Sequence, residues 1–409
     1  MTTPAAKPPR EAILLLAAGE TLIWAALFYV FATLLLEWER SLGWAKTDVT
    51  LGFTIAIAMA AISSPIAGRL IDNGYGRFVL SCGALFGCTA LAALSTASTP
   101  LMFWVFWGGI GVAQGFCLYE PCFSVVTRAT EKAARPTITK ITLIAGFAAP
   151  VAFLSGTAIA EAYDWQTTVI IFAVVGAVLA APMLYLGAKI LEDANLVVGS
   201  ANAKTENRDA LKHALRRPQF WLIAIAFPMM ALNHGILLNH IMPLLAERQI
   251  PRETAILIAS SIGAMQVAGR ILLMLIEHRV SLAMAAAIAF GGVTVASLIL
   301  MAAGASAFMV FAFAMLQGAT YGLTSILKPA MTAEYLSRIG FGAISGWLAL
   351  PYLAGFAIAP YLGALIWTHG GYDLVVLVTA CLGAAGAFCV FGLVTVGRRK
   401  AAEGILMDD

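Results

Sequence analysis

Residues 68–77 read Gly68-Arg69-Leu70-Ile71-Asp72-Asn73-Gly74-Tyr75-Gly76-Arg77. The residues before them, 49–67, and after them, 78–97, are continuously apolar over helical lengths, so the decapeptide is a tight turn between two helices. Gly74 and Gly76 supply the backbone freedom that such a turn needs. Asp72 falls at one helix end, and Arg77 is placed to bond carbonyls or a carboxylate on a neighbouring helix.

The same apolar-run pattern fills the chain. Of 409 residues, 61% are apolar and 11% charged, with a mean hydropathy of +0.88. Soluble chains run at about 45–50% apolar and about 25% charged. Too few polar side chains are present to cover a globule of this size, which excludes soluble enzymes, nucleic-acid binders and secreted scaffolds. Apolar runs lie at 12–36, 49–67, 78–97, 101–127, 138–160 and 166–188, then at 218–242, 254–276, 281–303, 306–328, 342–366 and 374–396. The fold class expected is an all-α membrane protein of twelve transmembrane helices. A barrel is disfavoured because its strands would alternate in polarity over about ten residues. The first run continues without a small-residue cleavage pattern and reads as a retained helix. Six cysteines, all inside apolar stretches, have neither zinc-site nor secreted-disulfide spacing.

Residues 189–217 hold ten of the 47 charged residues and read as a linker between an N-terminal bundle, 1–188, and a C-terminal bundle, 218–409. With both termini cytoplasmic, 20 of the 25 Lys and Arg fall on the cytoplasmic side, Lys7, Lys132, Arg398, Arg399 and Lys400 among them, as the positive-inside rule requires. The halves echo one another: Gly68-Arg69 recurs as Gly269-Arg270, Gln114-Gly115 as Gln317-Gly318, and Ala149-Pro150 as Ala359-Pro360, at offsets of 201, 203 and 210. Parallel six-helix repeats around a midplane site are a transporter architecture.

The decapeptide resembles the G-x-L-x-D-x-x-G-x-R signature of major facilitator superfamily transporters, with glycine at 74 and 76 rather than 75 and Asn73 in place of the usual base. The resemblance implies that Gly68, Asp72 and Arg77 gate the protein. Gly269-Arg270 and Gly342-Ala343-Ile344-Ser345-Gly346 resemble the monocarboxylate transporter and oxalate:formate antiporter branch. That implies a small organic anion, paired with Arg270. The oxalate-type lysine is absent, since residues 342–366 carry no charge. Ala149-Pro150 and Gly355-x-x-x-Ala359-Pro360-x-x-Gly363 resemble the superfamily's antiporter signature, which speaks to bending.

An ionisable group in hydrocarbon costs about 2.5–3.5 kcal/mol, so each is a functional candidate. Glu20, with Trp24, Leu27 and Phe31 on one face, is expected to line the cavity and exchange protons, and Trp24, Phe28 and Phe31 to shape the site. Glu120, before Pro121, is a second proton-coupling candidate; Gln114 and Tyr119 are hydrogen-bonding ones. Arg270 and Gln266, one turn apart, offer donors to a carboxylate. Asn233 and His234 on the seventh run and Tyr321 on the tenth complete the substrate-binding candidates. Gln317, Tyr321, Thr324 and Lys328 form a polar stripe, with Lys328 expected to snorkel to the cytoplasmic interface. Gly111-x-x-x-Gly115 is read as a helix-packing motif, and Cys117 and Cys122 as small apolar fillers.

No phosphate-binding loop, nucleophile elbow or zinc-protease helix occurs, so neither an enzyme nor an ATP-driven pump is expected, and no cofactor or metal is implied. The reading is a monomeric secondary active transporter of the cytoplasmic (inner) membrane, moving a small monocarboxylate with protons by alternating access. Its partners are the lipid bilayer, the small-molecule substrate and protons, with no nucleic acid. The alternative is a proton-coupled efflux antiporter for drugs or a toxic metalloid, with Glu20 and Glu120 binding the cation.

Overall fold

The computed structural model describes residues 8–130, 133–194 and 203–402. Lys7, Lys132, the linker's middle at 195–202 and residues 403–409 lie outside the described residues, as do the side chains of Arg398, Arg399 and Lys400. Among the described residues the protein is all-helical. Six elements precede the linker: α1 (Arg10–Leu42), α2 (Lys46–Leu70), α3 (Gly76–Leu94), α4 (Pro100–Thr130), α5 (Ala134–Ala162) and α6 (Trp165–Asp193). The linker contributes α7 (Ala203–Arg216). After it come α8 (Pro218–Glu247), α9 (Arg252–Ile276), α10 (Leu282–Ala302), α11 (Ala307–Tyr335) and α12 (Phe341–Ala402).

Ten segments are long and apolar enough to cross a membrane. Two exceed one crossing: Thr47–Leu94 has 48 residues and Phe341–Val396 has 56, whereas about 20 suffice. Each is interrupted at glycine, with φ 93° at Gly74 and φ 66° at Gly371, backbone that other residues rarely adopt. Large apolar side chains face outward, Phe308 at 82% and Phe388 at 76% exposure, which suits lipid as the surrounding solvent. This is a multi-pass membrane protein.

Helix ends follow local chemistry. Pro100 and Pro218 open helices where no backbone N–H is missed. The side chains of Thr99, Asp164, Ser281 and Ser306 each accept a hydrogen bond from the backbone N–H three residues on. Within the spans, hydroxyls such as Thr21 and Thr130 donate to the carbonyl four residues back, which satisfies them inside their own helix.

The chain divides into two units. One comprises Met1–Lys212 with Ser337–Leu350, the other His213–Leu336 with Pro351–Asp409. In the first, Trp38, Phe103 and Trp107 are fully buried and meet edge-on or tilted, with Trp38 and Trp107 centroids 5.9 Å apart. Glycines let helices approach to backbone contact. A Cβ at Gly111 would run into the Ala56 backbone, and one at Gly115 into Ala60 and Ser63, packing α4 on α2. In the second unit, Gly269, Gly318 and Gly322 do the same between α9 and α11, against Ala319, Ile262 and Gln266.

Candidate functional site

In the first unit the polar centre starts from a defect in α1. Residues Ala25–Tyr29 form a π turn, which leaves helix carbonyls out of the regular ladder. The Leu27 carbonyl accepts from Gln114 Nε2 at 2.7 Å. Two turns before Leu27, Glu20 is fully buried, and its Oε2 accepts from Trp24 Nε1 at 3.1 Å. The buried Cys122 thiol lies beside this carboxylate. Trp24 packs against Phe28 (4.9 Å) and Tyr119 (4.6 Å), and Tyr119 stacks on Phe123.

The expected cavity face of α1 is corrected in part. Leu27 is completely buried, where it would meet a Cβ added at Gly87. Phe31 stacks on Phe53 at 4.7 Å and meets Trp107 edge-on at 5.0 Å. Phe31 therefore belongs to the aromatic core, because the π turn rotates it away from the Glu20 and Trp24 face.

Glu120 follows a break in α4 at Leu118, whose ψ of −161° is extended. Pro121 explains the position, since its ring clashes with the carbonyl of Cys117 four residues back. Glu120 Oε2 accepts from Ser345 Oγ at 3.0 Å, within the same unit.

The decapeptide seats the start of α12. Asp72 Oδ1 accepts from the Gly342 N–H at 2.9 Å, and Oδ2 from that of Ala343 at 2.7 Å. A carboxylate at a helix N-terminus meets both the unsatisfied donors and the positive end of the dipole. Gly68 makes this possible: a Cβ there would overlap the Gly342 backbone. Arg128 donates to the Ile71 carbonyl at 2.6 Å. Arg77 pairs with Glu192 (3.7 Å) and Asp193 (3.4 Å) at the end of α6.

The second unit holds two further cations, Arg270 and Lys328. Arg270 is half-buried, and its Nε donates to the Gly322 carbonyl at 3.0 Å, where α11 loosens between Tyr321 and Thr324. Gln266 lies one turn before it, against Gly322. Lys328 does not snorkel outward. It is 5% exposed, and its ammonium lies 4.3 Å from the centroid of the Tyr352 ring, so a cation–π contact replaces water. The hydroxyls of Tyr352 and Tyr321 are 3.0 Å apart, and the Tyr321 ring stacks on His234 with centroids 3.5 Å apart.

Asn233 proves to be a core tie rather than a lining group. Its Nδ2 donates to Ser297 Oγ (3.0 Å) and to the Thr379 carbonyl (2.8 Å), and its Oδ1 accepts from Gln317 Nε2 at 2.8 Å. Gln114 and Gln317, paired by the sequence repeat, each reach the first membrane helix of their own unit.

Residues 13–304 match the sequence profile of the Major Facilitator Superfamily. The chain belongs to this superfamily. Its fold is similar to that of the transporter FucP in an outward conformation, at 13% identity and a TM-score of 0.72, covering 94% of this chain and 99% of that one. It is similar to a bacterial homologue of the iron transporter ferroportin in an outward-facing state (12% identity, TM-score 0.73, 93% and 99% covered). It is also similar to the proton:xylose symporter XylE bound to 6-bromo-6-deoxy-D-glucose (12%, TM-score 0.68, 93% and 95%). No curated protein matches by sequence. At these identities the likeness carries the fold alone.

Within this superfamily member, Tyr352 and Ser345 are site residues that the sequence did not single out, and Lys328 is one that it placed at the interface instead. The stripe of Gln317, Tyr321, Thr324 and Lys328 at helical spacing was the signal for Lys328. Nothing local announced Tyr352 or Ser345, whose partners are 24 and 225 positions away.

Proposed function

We propose that the protein is a secondary active transporter of the cytoplasmic membrane that carries a small organic monocarboxylate with protons by alternating access. One observation carries the reading. Among the described residues, three charged side chains are buried: Glu20 and Asp72 in the first unit and Lys328 in the second. With Asp72 seating α12, the first unit holds a carboxylate able to take up a proton, Glu20. The second holds Lys328 with half-buried Arg270, which suits an anion. Counting each glycine-interrupted span as two crossings turns ten spans into twelve. Even numbering puts both termini on one side, which the excess of Lys and Arg makes the cytoplasmic side, with halves 1–188 and 218–409 working as a monomer.

The test is thermal stabilisation of the purified protein by small organic acids. A ligand at 100 times its dissociation constant adds about 2.7 kcal/mol. Arg270→Ala removes a charge-assisted bond of roughly 1.5–3 kcal/mol and weakens acid binding at least about tenfold. Acids that fail to stabilise the native protein, or that stabilise Arg270→Ala equally, refute the reading.

A second reading has its own support. Trp24, Phe28 and Tyr119 surround the Glu20 side, an arrangement suited to a lipophilic cation exported against protons. Stabilisation by lipophilic cations, lost in Glu20→Gln, with acids inert, would select it.

A further inference from the structure

We propose that Gln317 Oε1 and His234 Nδ1 form a polar subsite for a hydrogen-bond donor on the substrate, so that the acid carried bears a distal hydroxyl or amino group. This rests on the anion reading above and names its substrate class more narrowly.

The chemistry of the subsite is fixed by a chain of hydrogen bonds. The Thr379 carbonyl can only accept, so the atom of Asn233 facing it at 2.8 Å is the amide nitrogen. Ser297 Oγ donates to the Val293 carbonyl at 3.1 Å and so accepts from the same nitrogen. Asn233 Oδ1 is then the atom facing Gln317, whose facing atom is its amide nitrogen at 2.8 Å. The orientation of Gln317 is thereby settled, and its Oε1, an acceptor only, is left without a partner at 1% residue exposure.

A second unpartnered atom lies on the same two helices. His234 follows Asn233 on α8, and Tyr321 follows Gln317 by one turn on α11. His234 is 2% exposed, its ring is held flat on Tyr321 at an interplanar angle of 11°, and Nδ1 has no partner. Buried polar atoms are rarely left orphaned, because desolvation then goes uncompensated. A hydroxyl or an ammonium on the substrate can donate to Oε1, and Nδ1 offers a second polar contact on the neighbouring helix.

The position of Arg270 sets where that group sits on the substrate. Its Nε marks Gly322, and Gln317 is five residues earlier on α11, roughly 7.5 Å along the axis at 1.5 Å per residue. A carboxylate held at the guanidinium therefore presents its far end, not its 2-position, to the subsite.

The experiment measures dissociation constants of butyrate, 2-hydroxybutyrate, 4-hydroxybutyrate and 4-aminobutyrate on the purified full-length protein. The native protein is expected to bind 4-hydroxybutyrate or 4-aminobutyrate at least about tenfold tighter than butyrate, with 2-hydroxybutyrate gaining little. Whichever of the two gains identifies the group. In His234→Phe, which keeps a ring on Tyr321 and removes the nitrogens, that ratio should fall toward one. Equal binding of all four acids overturns the inference while leaving the anion reading standing, and so does a ratio that survives His234→Phe. Binding of no acid overturns both. Should the variant not fold, the ratio in the native protein decides alone.

Discussion

Glu20 and Asp164 show how differently one carboxylate chemistry behaves in two solvents. Glu20 is fully buried and accepts from the Trp24 indole N–H at 3.1 Å, a bond that a glutamine carbonyl at position 20 would also accept. Glu20→Gln should therefore fold and still exchange labelled acid across proteoliposomes, while accumulation driven by a pH gradient is abolished. Undiminished pH-driven accumulation would remove Glu20 from the coupling role. Asp164 is exposed and caps α6, its carboxylate accepting from the Thr167 N–H at 2.6 Å, which holds its carboxyl below the usual carboxylate range. A lowered folded-state value means the stabilisation is present above the ordinary value and disappears as pH falls through the lowered one. Asp164→Ala should lower the melting temperature at pH 7, and that effect should shrink as pH falls below the ordinary carboxylate range. A deficit that stays constant as the carboxylate is protonated by acid would contradict the capping account. Polar residues in apolar runs were legible from sequence, but their depth was not: Asn233 was visible as a candidate and Lys328 only as an interfacial base, whereas the Tyr352 ring and the Thr379 carbonyl that decide their roles come from distant segments.

Among the elements, spacing was legible and partners were not. Gly111-x-x-x-Gly115 announces close packing, yet only the fold shows that the neighbour is α2, at Ala56 and Ala60. Pro121 marks the bend in α4 only approximately, since the break falls at Leu118, next to the Cys117 carbonyl that the proline ring displaces. Glycine pairs give a sharp comparison. Gly111→Ala forces a Cβ into the Ala56 backbone, whereas Gly263, also inside a helix, has nothing within 4 Å of the added atom. Gly111→Ala should destabilise by about 1–3 kcal/mol through overpacking. Gly263→Ala should be neutral or stabilising by up to about 1 kcal/mol, because alanine restricts the unfolded chain more. Equal melting temperatures for the two variants would show that α4 and α2 are free to separate.

At the scale of the whole molecule, the repeat in the sequence predicts equivalence, and the structure departs from it at one place. Gln114 and Gln317 play matching parts in their units, but Gly68 and Gly269 do not: Gly269 packs against Ala319 of its own unit's α11, while Gly68 receives the start of α12. Residues Ser337–Leu350 consequently belong to the first unit although the chain continues into the second from Pro351. Asp72 holds that segment through two backbone N–H groups, each bond to a charged acceptor contributing roughly 1.5–3 kcal/mol. Asp72→Ala should therefore speed hydrogen exchange at the Gly342 and Ala343 amides by at least about tenfold, one such bond being enough for that factor. Arg77, which pairs with Glu192 and Asp193 instead, makes the control: Arg77→Ala should leave those two amides protected. If the seat is what opens and closes during the proposed cycle, Asp72→Ala will also retain acid binding while transport slows. Unchanged exchange at both amides would mean that the backbone approach at Gly68 holds α12 without the carboxylate, and the gating role would pass from Asp72 to the glycines.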